Sequence, residues 1–287
     1  MRLRSVVGVL VVLAVIAGVG AFVVLRRVGP NLPGLLLGQA CSVRADSGAV
    51  SLDTGQMANA ATIAAVGLRR GVPERAIVVA LATALQESEL RNLTHGDRDS
   101  LGLFQQRPSQ GWGSAEQVRD PRYAAGKFYT ALLKVKGWKD MRVTEAAQRV
   151  QRSAYPEAYQ KWADEAQVLT DALAGHAAGA VTCLLSGQPG SRGPVAAERL
   201  SAAMRKDWGD KLTIAGTAST GVELAAPSDR AGWQLAHWLV AHANERGVRV
   251  VRFGTREWRS DGRGWQRVDA AGGGAGERVV AEVFAPA

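Results

Sequence analysis

The chain has 287 residues, a formal net charge of +9 and a pI of about 10.1. A protein this basic is attracted to anionic polymers, phospholipid headgroups or nucleic acid. The sequence contains no helix-turn-helix, zinc-finger or aromatic–basic pattern, which argues against a nucleic-acid partner. Much of the charge is scattered Arg, so most of it is expected on solvated faces.

A long apolar segment, residues 5–25, lies near the start of the chain and has two Arg residues on each side. As a helix it would span about 31 Å, enough to cross the hydrocarbon core of a membrane. A cleaved signal peptide is the alternative, but no small-x-small cleavage site precedes Arg26. We therefore predict a single-pass anchor at residues 1–27, with a cytoplasmic N-terminus and the bulk of the chain extracellular. A linker at residues 28–54 follows it.

The chain has two cysteines, Cys41 and Cys183, one on either side of a predicted helical region. If they pair, they close a loop of about 142 residues, which the chain-entropy model makes worth roughly 4–5 kcal/mol. A disulfide needs an oxidising compartment, consistent with export. The alternative is two unrelated buried thiols; the flanking positions favour the pair.

The helical region opens with helical spacing over residues 55–70 and then a second helix at residues 73–92. The second helix is almost entirely apolar from residue 76 to residue 85, which predicts burial on every side. Glu87 follows near its C-terminal end, where the helix dipole and an apolar wall both disfavour a negative charge. A Glu that keeps its proton suits a general acid. The ordinary alternative is a Glu that marks where the helix leaves the core.

Three short motifs follow one another across this region. They are Glu87-Ser88, then Gly102-Leu103-Phe104-Gln105, then AAQRVQ at residues 146–151. In order and spacing they resemble the lysozyme-like, lytic-transglycosylase family, which has a Glu-Ser pair, a GLMQ-type segment and an AYN-type helix. The third motif departs from the family, since Val150 and Gln151 replace its Tyr-Asn. The run GDRDSLGLFQQRPSQGWG resembles a secreted or membrane-anchored actinobacterial subfamily of the same fold.

The resemblance implies that glycan strands of peptidoglycan are the substrate and that a single carboxyl, Glu87, protonates the leaving oxygen. Hydrolysis would need a second carboxylate to position water, and Asp97 and Asp99 are the candidates; both also suit a polar turn, the interpretation we favour. The side chains expected to contact substrate are Ser88, Gln105, Gln106, Gln151 and Tyr123. Tyr129 has a second aromatic face for sugar stacking, but core packing is expected for one of these two tyrosines.

A linker composition at residues 184–193 precedes a second region, residues 194–287. There, helices at 195–208 and 229–244 and several short strands predict a small α/β or α+β module. The pattern between Trp233 and Trp265 resembles a C-terminal module of actinobacterial secreted proteins and, distantly, the zinc D-Ala-D-Ala peptidases.

The zinc resemblance fails at the residues that would bind the metal. Residues 218–221 contain no His. His237 and His242 are five apart on one predicted helix, so they point about 140° apart and are poor joint ligands. We predict no metal and no cofactor, and we expect an unidentified protein partner for this module.

Together these features predict a transmembrane helix, a mainly α lysozyme-like domain at residues 55–183 and a small α/β (α+β) C-terminal domain. The predicted function is a membrane-anchored protein that cleaves β-1,4 glycosidic bonds of peptidoglycan, as a lytic transglycosylase or a muramidase. The alternative is a non-catalytic peptidoglycan-binding or divisome-associated scaffold protein that keeps the lysozyme-like fold.

Overall fold

The computed structural model describes residues 40–185, 191–268 and 277–286, which contain both helices and short strands. The helices are α1 (Thr54–Arg70), α2 (Glu74–Ser88), α3 (Ala115–Arg119), α4 (Pro121–Leu132), α5 (Val143–Gln151), α6 (Ala163–Leu173), α7 (Gly193–Trp208), α8 (Asp229–Ala241) and α9 (Ala243–Arg246). The strands are β1 (Ala40–Ala45), β2 (Gly48–Leu52), β3 (Val181–Leu184), β4 (Ile214–Ala218), β5 (Gly221–Ala225), β6 (Val248–Phe253), β7 (Arg256–Arg259), β8 (Gly264–Arg267) and β9 (Arg278–Val283). The predicted anchor, the first part of the linker after it and the centre of the second predicted linker lie outside the described residues.

The predicted fold class is wrong. The described chain is mixed α+β, with two antiparallel sheets of three and six strands, rather than a mainly α domain followed by a small α/β module. Among the described residues, no helix has the length and hydrophobicity needed to cross a lipid bilayer.

The difference begins in residues 40–52, which we predicted as linker. They form a hairpin of β1 and β2, joined by a two-residue turn at Asp46-Ser47. Alternate side chains of this hairpin face the core, the pattern of half-buried strands. The buried members are Cys41, Val43, Val50 and Leu52.

Helix α1 forms where its sequence predicts. Its N-terminus has a capping box: the Gln56 backbone N–H donates to the Asp53 carboxylate over 2.8 Å, and the Asp53 N–H donates to the Gln56 side chain over 2.9 Å. It ends at Gly71, whose φ of 65° is easily adopted by a residue without a Cβ. Local sequence therefore determines both ends.

Helix α2 is the buried helix that the apolar run predicts. Every residue from 76 to 85 is buried, and the helix packs against α1, α5 and α6. It ends four residues earlier than expected because Glu89 and Leu90 take the left-handed conformation, with φ of 52° and 60°. This earlier end places Glu87 in the last turn, just where the helix emerges from the core.

The three-stranded sheet has the order β2–β1–β3 and packs on α6. Cys41 of β1 lies directly opposite Cys183 of β3, and the two form a disulfide. The predicted disulfide is confirmed. Because β1 precedes α1 and β3 follows α6, this bond closes a loop that contains the first six helices.

The six-stranded sheet has the order β4–β5–β9–β6–β7–β8, with every neighbouring pair antiparallel. Helices α7 and α8 pack on one face, while the other face carries Arg–Glu pairs between strands, such as Arg252 with Glu257 and Glu282. Helix α8 also packs on α1 and α6, and the Trp265 indole N–H donates to the Val181 carbonyl over 2.7 Å. Because of these contacts, the segment Gln39–Ala287 forms one compact unit.

His237 of α8 is completely buried where that helix meets the first half of the chain. Its Nδ1 lies 2.8 Å from the Ala172 carbonyl, and the Ala180 backbone N–H donates to its Nε2 over 3.0 Å. Because a carbonyl can only accept, we assign the proton to Nδ1. Burial lowers the pKa of His237 to about 4.

Because the imidazole of His237 is buried in its neutral form, we expect the protein to lose stability in acid. Between pH 6.5 and pH 4 an unfolded chain binds a proton at His237 that the folded chain does not, so the free energy of unfolding falls as pH falls, by about 3 kcal/mol for this residue. Urea unfolding at pH 7 and pH 4.5 measures the loss. The fall in the free energy of unfolding between these two pH values should be about 2–3 kcal/mol smaller in His237→Gln than in the parent chain. The exposed His95→Gln should behave like the parent, and equal losses in all three proteins would contradict the assignment.

Candidate functional site

Glu87 lies in the last turn of α2 and is half-buried. Its Oε1 accepts two hydrogen bonds, one from the Tyr159 hydroxyl over 2.7 Å and one from the Gln151 side-chain amide over 3.0 Å. Gln151 is the last residue of α5, and Tyr159 lies in the turn before α6. Three separate parts of the chain therefore meet at one carboxyl oxygen.

Both of these donors are neutral. Within the described ranges, Glu87 has no Lys, Arg or His at ion-pair distance, and its Oε2 has no hydrogen-bond partner from the protein. Other carboxylates of the chain differ: Glu257 and Glu282 each contact two Arg residues. Since Oε1 is occupied by two donors, the proton of the acid form belongs on Oε2, which is free to act on a bound molecule.

Tyr159 is a site residue that the sequence reasoning missed. Its ring is fully buried, and burial, followed by the nearby charge of Glu87, raises the pKa of the phenol. The hydroxyl therefore stays protonated and donates to Glu87. The sequence pattern predicts one continuous helix over residues 155–174, which hid this residue. The chain instead makes turns and a short 3₁₀ segment (Gln160–Trp162) before α6. The sequence signal that could have indicated Tyr159 is its position at the end of the AYPEAY run, residues 154–159.

The second motif is held against the end of α2 by Ser88 and Gln151. The Ser88 hydroxyl lies 2.8 Å from the Leu103 carbonyl and 3.0 Å from the Ala84 carbonyl, and the residue is buried. The Gln151 amide, besides reaching Glu87, donates to the Phe104 carbonyl over 2.8 Å. Ser88 thus fixes the loop, and Gln151 joins all three motifs at Glu87.

Gln105 and Gln106, two other predicted substrate contacts, belong to or directly follow the second motif but make no hydrogen bond to Glu87. Gln105 is half-buried and donates to the Gly102 carbonyl over 3.1 Å. Gln106 is buried and donates to the Ala124 carbonyl over 3.1 Å, while its Oε1 has no partner among the described residues. Neither of these two side-chain amides forms a hydrogen bond with the Glu87 carboxyl.

The two tyrosines of α4 have different surroundings. Tyr123 is half-buried, and a Cβ placed on Gly113 would lie 2.6 Å from its hydroxyl, so the loop passes closely over it. Tyr129 is fully buried in the core, where its hydroxyl donates to the Ile63 carbonyl over 2.9 Å. Tyr129 is therefore the tyrosine that packs in the core, and Tyr123 is the one that retains an exposed face.

Asp99 is engaged within its own loop. Its carboxylate accepts from the Ser109 backbone N–H over 2.8 Å, from the Arg107 side chain over 2.8 Å and from the Ser109 hydroxyl over 3.0 Å. These contacts, the Ser109 backbone N–H first, hold the pKa of Asp99 well below its usual range. Asp97 is 90% exposed, and its carboxylate lies 3.9 Å from the Arg98 side chain. Both residues fit the polar turn that we favoured from the sequence.

Comparison with known proteins adds no family to this geometry. No protein-family model matches the chain, and a search of curated proteins gives no match.

Proposed function

We propose that the chain cleaves β-1,4 glycosidic bonds of peptidoglycan, with Glu87 as the single general acid. The observation that carries the proposal is the meeting of the three resembling motifs at one half-buried carboxyl. Gln151 bonds both Glu87 and the Phe104 carbonyl, and Ser88 bonds the Leu103 carbonyl. Residues that were chosen from separate stretches of sequence thus belong to one cluster.

The proposed reaction follows from the two oxygens of Glu87. The proton on Oε2 passes to the glycosidic oxygen as the bond to the anomeric carbon breaks, leaving an oxocarbenium-like sugar. The Tyr159 hydroxyl and the Gln151 amide then stabilise the carboxylate that remains. This carboxylate takes the proton of the muramoyl 6-hydroxyl as that oxygen attacks the anomeric carbon, which yields an anhydro product and restores the acid.

A single carboxyl suffices for this route, whereas hydrolysis needs a second one to position water. Asp99 is occupied by Arg107 and Ser109, which favours the transglycosylase form of the proposal over the muramidase form. The proposed location is the exterior face of the cell membrane, with the anchor at residues 1–27. The Cys41–Cys183 disulfide supports an oxidising compartment, where peptidoglycan is found.

Replacement of Glu87 tests the proposal. The full chain is incubated with purified peptidoglycan, and released muropeptides are identified by mass spectrometry. The variant Glu87→Gln keeps the shape of the side chain but cannot donate the proton, so product release should fall by about 10²–10⁴-fold. Retention on insoluble peptidoglycan should be unchanged.

A matched control is Glu89→Gln, which alters an exposed carboxyl two residues away and should leave product release intact. Anhydro-muramoyl products support the transglycosylase form. Reducing ends support a muramidase, in which Asp97 or Asp99 would be the second carboxylate that positions water. If the parent chain releases no product yet is retained on the wall, the protein is a binding or scaffold protein and the enzyme proposal is refuted.

A further inference from the structure

A pocket of about 530 Å³ lies beside α5, on a different side of that helix from the contacts of Glu87. We call it the basic pocket. It is lined by Val135, Lys136, Met141, Gln148, Arg149 and Arg152. Three of these six side chains are cationic and none is acidic. The lining therefore combines two apolar side chains and one amide with three exposed cations.

In the part of the chain that the structure describes, the three cations of the basic pocket form no salt bridge. Lys136, Arg149 and Arg152 are all exposed. The nearest acidic group along α5 is Glu145, which is already engaged by the backbone N–H and the guanidinium of Arg142 at 2.9 and 3.0 Å. Arg142 also pairs with Glu157, so one guanidinium is shared by two carboxylates on this neighbouring surface, whereas the lining of the basic pocket has three cations and no carboxylate.

The backbone that carries two of these cations is held in place. Arg152 ends α5 with a φ of 53°, which is uncommon outside Gly and Asn, and its N–H donates to the Gln148 carbonyl over 2.9 Å. The Gln148 amide donates to the Ser153 carbonyl over 2.8 Å and accepts from the Ser153 N–H over 3.2 Å. The backbone at both Arg residues is thus fixed before any ligand arrives, so that binding has to order only their side chains.

The basic pocket and the candidate catalytic site both involve residues at the C-terminal end of α5. Arg152 directly follows Gln151, whose amide contacts Glu87. A polymer that lies at Glu87 and extends past the end of α5 would bring its substituents to the pocket. Arg side chains bind carboxylate and phosphate oxygens through paired N–H groups, and Lys adds a point charge.

We propose that the basic pocket binds the anionic groups, phosphate or carboxylate, of a wall polymer whose glycan occupies the Glu87 site. The identity of the polymer rests on the proposed function; the binding of anions does not. Phosphodiester chains attached to the wall and the carboxylates of its peptide stems are the two sources of this chemistry. An acidic membrane surface is the competing partner.

Two soluble probes separate the sources, poly(glycerol phosphate) and poly(γ-glutamate). Their affinities are measured by calorimetry with the full chain carrying Glu87→Gln, so that turnover plays no part. Adding Lys136→Gln, Arg149→Gln and Arg152→Gln should weaken binding of one or both polymers about tenfold or more, as the loss of three exposed ion contacts implies. The polymer with the larger loss identifies the source.

A control variant removes the same charges elsewhere, through Lys206→Gln, Arg256→Gln and Arg267→Gln on α7, β7 and β8, all exposed. It should weaken binding much less, and both variants should keep the parent's unfolding transition. Equal losses in the two variants, or no polymer binding by the parent, would overturn the proposal. So would a loss confined to vesicles of phosphatidylglycerol. Absence of muropeptide release by the unmodified chain, with pocket-dependent polymer binding intact, would refute the enzyme and keep the anion site.

Discussion

Removal of the disulfide is expected to lower the free energy of unfolding by about 5 kcal/mol, because the Cys41–Cys183 bond closes a loop with a sequence separation of 142 residues. The variant that tests this is Cys41→Ala with Cys183→Ala, and urea unfolding measures it. The bond joins β1 to β3, so in the unfolded chain its loss separates two segments that lie about 140 residues apart. An unfolded chain then gains most of the freedom that the loop had restricted.

Reduction of the parent chain provides the comparison. A thiol reductant should destabilise the parent by about as much as the double substitution does and should leave the double variant unchanged. A loss below about 1 kcal/mol would mean that the reduced unfolded chain keeps much of its order, since the chain-entropy model assumes that it has none.

Elements whose ends are determined by local interactions were predictable. Helix α1 has its capping box and its terminal Gly, and α4 has an N-cap Asp followed by a Pro. The amphipathic helix α8 also follows its predicted pattern. In each case the decisive residues lie within a few positions of one another, where a single sequence is informative.

The elements that were missed depend on distant partners. The hairpin of β1 and β2 has only five or six residues a strand, and β1 is stabilised by pairing with β3, some 140 residues later. Its flanking Pro and Gly residues are typical of a linker, and nothing local marks the pairing. The mixed α+β class follows from these long-range pairings, which is why the prediction of a mainly α domain failed.

The candidate site shows the same division. Glu87, Ser88 and Gln151 were selected from motif order, and the structure places them together. Tyr159 was missed because its role depends on a turn that replaces the first part of a predicted helix. A sequence pattern can indicate which segments belong together, but the donor to a particular oxygen depends on how the segments pack.

Replacement of Asp207 by Asn is expected to cost about 3–5 kcal/mol of unfolding free energy, because it breaks a buried ion pair from one side. Asp207, at the end of α7, is fully buried and forms an ion pair with Arg122 of α4. It also accepts from the Trp238 indole over 2.8 Å and from the Thr62 hydroxyl over 3.2 Å. One carboxylate therefore connects helices from both halves of the chain.

The cost arises from the groups that lose their partner. Without the carboxylate, the largely buried Arg122 keeps its charge but has no counter-ion, and that uncompensated charge is the dominant penalty. The combined variant Arg122→Met with Asp207→Asn should therefore be more stable than Asp207→Asn alone, even though it carries one more substitution. The exposed Asp210→Asn, three residues further on, should change the free energy of unfolding by less than about 0.5 kcal/mol. If the combined variant is the less stable of the two, the unpaired charge of Arg122 is not the dominant penalty. The cost of Asp207→Asn would then come mainly from the neutral contacts of Asp207 with Trp238 and Thr62, and the ion-pair explanation would be refuted.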